Sequence, residues 1–298
     1  MESTEESKDL VEKHFMAFPD IAADVINALL YEGDTVVRAE SLLPASTETL
    51  YSAGGEGRLR NQYEDLAKYE MHDGKVSAIY LFANQSTVDY RMVLRGAGYI
   101  GGVYREQYEG KHPDPAPVVE MVLYWGRKHW NSARSLRHMF RRKKLSPRIW
   151  RHVDDIRLHV WEMRYLPPET RERFTSDMRI VLDYLAEGEG YRSDRPVVHK
   201  EALVKMLRVL SGDGDVTDTA EILREMNIRE EDEITMCELF DQYIRKGRAE
   251  GREEGIKNFI LDNLEEGKSG ETIVEKLCRR FSLDAGTART YYNTYANV

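Results

Sequence analysis

The residues best suited to chemistry lie on two segments that a tight turn joins. An Asp-Gly pair at 73–74 separates two strand-like runs, which is a strong signal for a β-hairpin. If the strands pair symmetrically about this turn, Asp65 falls opposite Phe82, one residue from position 83. Positions 83 and 85 point to the same face, because side chains alternate along a strand. The hairpin therefore brings Asp65, Ala83 and Gln85 together, and oxygens at such a place could bind a hard metal ion.

The second half of this hairpin begins a longer motif. The run from position 83 reads ANQSTVDYRMVLR, and it continues with Tyr99 and with YREQ at 104–107. These motifs resemble the recombination-promoting nuclease family, transposase-like proteins with a PD-(D/E)XK nuclease core. The likeness extends to ADVINALLYEGDTVV, VLYWGRKHW and MCELFDQYIRKGRAEGREEG, and so covers nearly the whole chain.

The resemblance implies a DNA endonuclease that depends on Mg²⁺ or Mn²⁺. In that family Glu and Gln stand where the general motif has its acid and Lys. Asp65 would be the central metal ligand, and Asp24 would assist from the first helix. Gln85 would orient water or phosphate, while Asp89 and Arg95 would support the site or contact the strand. The biological role could lie in a mobile element, in DNA recombination or in phage defence.

Position 83 departs from the family pattern. Ala83 stands where the family has a metal-binding Glu, and an alanine offers no oxygen, so this sequence should be catalytically impaired. Three accounts are open: a deliberate Glu→Ala replacement, a degenerate gene copy, or another acid such as Glu64 in the same role. Glu64 alternates to the other strand face, and the rest of the motif is intact, so we favour the deliberate replacement. The alternative function is a DNA-binding protein that keeps the nuclease fold without catalysis.

Charge is distributed unevenly along the chain. The net charge of −9 argues against a nucleic-acid partner, but residues 127–152 contain no Asp or Glu at all. We call these residues the basic segment and predict that they contact phosphate groups, although an ordinary solvated surface is the simpler reading. The candidate DNA-binding residues are Arg127, Lys128, Arg134, Arg137, Arg141, Arg142, Lys143 and Lys144.

The pattern of apolar residues predicts the elements that must hold this site. An α-β-β-α-β-α-β-α order predicts an α/β (α+β) fold, a mixed sheet with helices on its faces, in a nuclease-like domain of residues 1–188. A first helix should break at Phe18-Pro19, and a loop-rich stretch should follow it. The later elements are predicted as strands at 76–84, 118–125 and 156–163 and as helices from 86 or 87, at 135–140 and at 169–185.

Residues 189–298 are predicted to form a helical domain for oligomerisation, DNA binding or both. An apolar stripe at Ile256, Phe259, Ile260 and Leu264 needs a cover, which could be a second copy in a homodimer or the helix at 199–210. The last stretch fits a plain helical hairpin or a helix-turn-helix. In the second case the DNA-facing residues would be Thr287, Arg289 and Thr290.

Composition excludes several other classes of protein. No apolar run approaches the ~20 residues of a membrane span, and the acidic start is unlike a signal peptide. Two cysteines, Cys237 and Cys278, give no zinc spacing and suit a reducing cytoplasm. The GAGYIG run at 96–101 matches a dinucleotide fingerprint, but it does not follow a strand directly, so we predict no nucleotide cofactor.

Overall fold

The computed structural model describes residues 2–45, 48–52, 59–63, 66–111, 113–212, 216 and 218–296. The strands are β1 (Leu42–Pro44), β2 (Glu48–Ser52), β3 (Leu59–Tyr63), β4 (Leu66–His72), β5 (Lys75–Gln85), β6 (Val118–Tyr124) and β7 (Val160–Glu162). The helices are α1 (Glu2–Ala17), α2 (Pro19–Leu30), α3 (Met92–Glu109), α4 (Leu136–Phe140), α5 (Pro147–Trp150), α6 (Pro168–Arg171), α7 (Asp177–Glu187), α8 (Lys200–Ser211), α9 (Thr219–Glu225), α10 (Met236–Glu265), α11 (Gly270–Phe281) and α12 (Ala285–Tyr295).

Five strands form a mixed sheet in the order β1-β4-β5-β6-β7. β4 is antiparallel to β1 and β5, whereas β5, β6 and β7 are parallel to one another. A parallel pair needs a crossover, and α3 provides it between β5 and β6. The predicted mixed α+β architecture is confirmed at this level. β1 and β2 lie where we predicted a loop, whereas β3 lies in the first strand-like run of the predicted hairpin and pairs with β2 instead of β5.

The predicted pairing of the central hairpin is wrong by one residue. Symmetric pairing holds only next to the turn, where His72 pairs with Lys75. Beyond it, a β-bulge leaves Ser77 without a partner residue on β4, and its hydroxyl donates to the carbonyl of Glu70 (3.1 Å). A bulge inserts one residue into one strand and shifts everything past it. Leu66, and not Asp65, therefore lies opposite Phe82.

Two further predicted elements are shorter than expected. Of the strand predicted at 156–163, only β7 pairs with β6, because residues 156 and 158 form backbone hydrogen bonds with Leu136 and Arg134 instead. The helix predicted at 169–185 is divided into α6 and α7. The division falls at Ser176, whose hydroxyl accepts from the N–H of Met178 and so caps α7. The break at Phe18-Pro19 is confirmed, with Pro19 as the first residue of α2.

The largest hydrophobic core lies on the sheet face that carries Tyr80 and Phe82. Helices α1, α2, α7 and α8 contribute to this core, and Leu203 and Leu207 of α8 are among its buried residues. The core therefore continues past residue 188, and the division at 188/189 stays a prediction. The opposite face of the sheet is covered by α3, which packs Tyr99 against Leu81.

The last three helices have a small core of their own. Ile256 and Ile260 of α10 are fully buried with Ile273 and Leu277 of α11 and with Ala288 of α12. The apolar stripe of α10 is therefore covered within this chain by α11 and α12, and neither the helix at 199–210 nor a second copy is needed for it. In the part of the chain that the structure describes, none of the helices has the length and apolar character that a bilayer crossing requires.

Candidate functional site

The carboxyl ends of β5 and β6 form one edge of the sheet, where Ala83 and Gln85 lie. Gln85 pairs with Tyr124, and the backbone N–H of Trp125 donates to the carbonyl of Gln85 (2.8 Å). The Gln85 side chain is half-buried, and its amide donates to the carbonyl of Asn84 (2.5 Å). The Asn84 side chain accepts from the indole of Trp125 (3.0 Å) on the other face. Gln85 thus keeps its amide oxygen for another partner at this edge.

Ala83 is only 2% exposed and lies in an apolar cluster under the start of α3. An uncharged side chain fits this environment without cost, whereas a carboxylate here would need water, a cation or a hydrogen-bond donor. The other buried residues of the cluster are Met92, Val93, Val122, Tyr124, Trp130, Leu158 and Val160. Asp65 and Glu64 lie outside the described residues, so their predicted roles stay predictions.

Asp24 has a structural role. It is 7% exposed, and its two carboxylate oxygens accept from the backbone N–H groups of Thr175 (2.9 Å) and Ser176 (2.9 Å). The hydroxyls of both residues also donate to it, at 2.9 and 2.6 Å. These bonds tie α2 to the start of α7. The structure therefore gives no support to the predicted metal role of Asp24.

Glu12 is the carboxylate that sequence reasoning missed. It lies on α1, is 1% exposed, and accepts from the hydroxyl of Ser86 (3.4 Å), the residue after Gln85. It also lies 3.8 Å from the ammonium of Lys8, one helical turn earlier. The signal was present in the sequence: Glu12 falls within an apolar stripe with Phe15 and Met16, where a surface acid is not expected.

The two predicted support residues lie on the segment that leads into α3. Asp89 accepts from the backbone N–H of Arg91 (2.8 Å) and so shapes the turn before the helix. The Arg95 guanidinium lies 5.6 Å from the centre of the Tyr99 ring. Asp89 therefore shapes the turn before α3, and Arg95 packs against Tyr99 one turn further along the helix.

Glu120 is an unusual acid next to this site. Glu120 lies on β6 opposite Leu81 of β5, and it is 3% exposed. Within the described residues, neither of its carboxylate oxygens has a hydrogen-bond partner. Burial raises the pKa of Glu120 to about 7, although the charge of Arg95 acts in the opposite direction. A Cβ on Gly96 would lie 2.2 Å from a Glu120 oxygen, so a larger residue there would have to displace the Glu120 carboxylate.

The basic segment starts directly after β6, at the same edge of the sheet as Gln85. Two of its arginines hold the segment in place. Arg134 donates to the carbonyl of Val160 (2.8 Å) and to Glu162 (3.0 Å), and Arg137 donates to the carbonyl of Val153 (2.9 and 2.8 Å). The remaining predicted DNA-binding residues are exposed: Arg127, Lys128, Arg141, Arg142, Lys143 and Lys144.

The donor types at this edge fit Mg²⁺ or Mn²⁺. Among the described residues no group of three His, Cys, Asp or Glu side chains could hold a metal ion. Mg²⁺, however, takes one or two carboxylates and completes its shell with water and substrate phosphate. Glu12 offers a carboxylate and Gln85 an amide oxygen, and Asp65 is the predicted second carboxylate. The chemistry of this set is all oxygen, as a hard cation prefers.

Replacing Asp24 by Ala should destabilise the protein without changing its affinity for a metal ion. The N–H groups at the start of α7 would lose a charged acceptor, which we expect to lower the free energy of unfolding by about 2–4 kcal/mol. Urea unfolding measures this, and Mn²⁺ titration by calorimetry measures the affinity. Asp34→Ala, at an exposed acid, is the matched control. A loss of Mn²⁺ affinity in a folded Asp24 variant would restore its metal role.

Glu120→Gln should stabilise the protein more at pH 8 than at pH 5. The pKa of Glu120 in the folded state is about 7, above its ordinary 4.5, so the folded state keeps this proton to higher pH than the unfolded state. Its ionisation therefore lowers stability as the pH rises from ~4.5 to ~7, by up to about 3 kcal/mol. Thermal unfolding at both pH values, with Glu187→Gln as an exposed control, measures the difference. An equal effect at both pH values would contradict the raised pKa.

Comparison with known proteins places this chain in a family. A family profile described as putative transposase, YhgA-like, matches residues 7–182, more than half of the chain. The matched range includes Glu12, Gln85, Glu120 and the whole basic segment. Searches of curated proteins and of solved structures gave no match. The chain therefore belongs to the YhgA-like family of putative transposases.

Proposed function

We propose that this chain has the fold and site of a metal-dependent DNA endonuclease, and that Ala83 leaves the present sequence catalytically impaired. One observation carries the proposal: Gln85 and the start of the basic segment lie at one edge of the sheet, and Glu12 reaches Ser86, the residue after Gln85. Hydrolysis of a phosphodiester needs a metal site beside a surface that binds phosphates, and this edge offers both. Membership of a transposase family agrees with DNA as the substrate.

The order of elements supports a PD-(D/E)XK core. Helix α1 lies before the hairpin β4–β5, α3 crosses over, and β6 returns parallel to β5. This arrangement places the end of β5, with positions 83 and 85, between a helix that offers Glu12 and a strand that leads into the basic segment. The chain therefore has each of the helices and strands that the proposed core needs.

Each residue has a chemical role in this proposal. Asp65 and Glu12 would hold Mg²⁺ or Mn²⁺, and a bound ion of this kind lowers the pKa of its water and neutralises phosphate charge. Gln85 orients water or phosphate through its amide, and it cannot take up a proton. Ala83 contributes no oxygen, so a bound ion would have one protein ligand fewer than in a site with Glu.

The alternative is a DNA-binding protein that keeps this fold without catalysis. The apolar surroundings of Ala83 favour it, since they suit an uncharged residue at that position. The exposed cations of the basic segment would serve either function equally. A homodimer stays part of the proposal, because two sites related by two-fold symmetry could cut both strands. Its interface is open, since the apolar stripe of α10 is covered within the chain.

Ala83→Glu should create Mg²⁺-dependent cleavage of plasmid DNA, and adding Asp65→Ala should remove it. The new carboxylate supplies the missing ligand, and Asp65 is the proposed central one. Nicking of supercoiled plasmid, with and without EDTA, measures the activity. Ala83→Gln is the matched control, because it has the same length and no charge. If Ala83→Glu folds, binds DNA and cuts none of the DNAs tested, the non-catalytic alternative is correct.

Replacing Arg141, Arg142, Lys143 and Lys144 together by Gln should weaken binding to all DNA sequences alike. Each phosphate contact that is lost reduces the dependence of log K on log salt by about 0.9, so the slope should fall by up to about 3–4. Fluorescence anisotropy at several salt concentrations measures both quantities.

A second variant with the same change in charge controls for net charge alone. Its replaced residues are exposed cations outside the basic segment: Lys111, Arg224, Arg229 and Arg279. Only the first variant should lose most of its affinity. Equal losses in both variants would mean that the basic segment makes no specific contact with DNA.

A further inference from the structure

Two large apolar side chains are exposed at the tip of the basic segment. Leu145 is 43% exposed and Ile149 is 56% exposed, and they are four residues apart in sequence. A single exposed apolar residue is ordinary, but these two lie in a stretch whose only charges are positive. The neighbouring cations are Arg141, Arg142, Lys143, Lys144 and Arg148. We call residues 141–149 the tip.

The tip is held in a defined conformation. Its base is closed by Arg137, whose guanidinium donates to the carbonyl of Val153 and whose N–H donates to Asp155 (2.9 Å). Within the tip, the N–H of Ile149 donates to the hydroxyl of Ser146, which caps α5 (3.3 Å). These bonds fix the backbone, so both apolar side chains are presented without a large loss of conformational freedom on binding.

We propose that the tip inserts Leu145 and Ile149 into the minor groove of duplex DNA and bends the duplex there. This inference rests on the proposed function and specifies how the protein contacts the DNA. Proteins that bend DNA from the minor groove place apolar wedges between base steps while adjacent cations hold the phosphates. The tip has both parts, and its charge is complementary to DNA.

The mode of binding defines a class of substrate. Unstacking a base step costs least at flexible pyrimidine–purine steps and at mismatches, because the stacking there is weaker. The protein therefore prefers deformable DNA, and it selects sites by their flexibility without reading base edges. An anionic lipid surface could also attract exposed cations with apolar residues, and the experiment below separates the two partners.

The test compares the full chain with a Leu145→Ser, Ile149→Ser variant. The probe is a 30-base-pair duplex with a dye at each end and a central TA step or mismatch. Saturating wild-type protein should bring the dyes closer, and the variant should lose this change in energy transfer. The affinity of the variant for the mismatched duplex should fall by about tenfold or more, because the variant lacks the apolar side chains that insert where base stacking is weak. Val36→Ser, Val198→Ser, at exposed apolar positions elsewhere, is the matched control.

Each result decides the proposal. Bending that persists in the folded Ser variant, or binding by the wild type without bending, would overturn the wedge while leaving DNA binding intact. Absence of any DNA binding by the wild type would overturn the proposed function as well. Vesicles of phosphatidylserine and phosphatidylcholine are tested in parallel. Binding to vesicles that depends on Leu145 and Ile149, without DNA bending, would assign the tip to a lipid surface.

Discussion

The parallel pairing of β5 and β6 is the constraint on which the candidate site depends. Because these strands run in the same direction, Gln85 and Tyr124 end at one edge, and the bond from the N–H of Trp125 to Gln85 closes that edge. Parallel pairing requires a crossover, which α3 provides, and the first turn of α3 packs against Ala83. Everything that follows β6 in the chain, including the basic segment, must therefore start beside Gln85.

The same constraint places the basic segment of this acidic protein beside the candidate site. A net charge of −9 would repel DNA over most of the surface, but residues 127–152 leave the sheet with no acid among them. Glu162 lies next to this segment, where it pairs with Arg134 (3.0 Å) and lies 3.0 Å from the ring of His129. The positive surface is therefore local, and it begins at the edge where a phosphate would have to lie for chemistry at Gln85.

Local patterns in the sequence predicted most elements but not the details that decide the site. The Asp-Gly turn predicts the central hairpin, whereas the bulge at Ser77 that shifts its register has no local signal. Asp24 resembles a site acid by motif, yet its partners Thr175 and Ser176 lie 151 and 152 residues away in sequence. Such long-range contacts cannot be found from the spacing of nearby residues, whereas Glu12 had a local signal in the apolar stripe around it.

The central claim is that the carboxyl edge of the sheet and the basic segment form one DNA-binding surface. Hydrogen exchange followed by mass spectrometry, on the full chain with and without duplex DNA, tests it directly. The account predicts slower exchange in two separate stretches, residues 86–91 after β5 and residues 141–149. Slower exchange confined to α11 and α12, with both of those stretches unchanged, would contradict it.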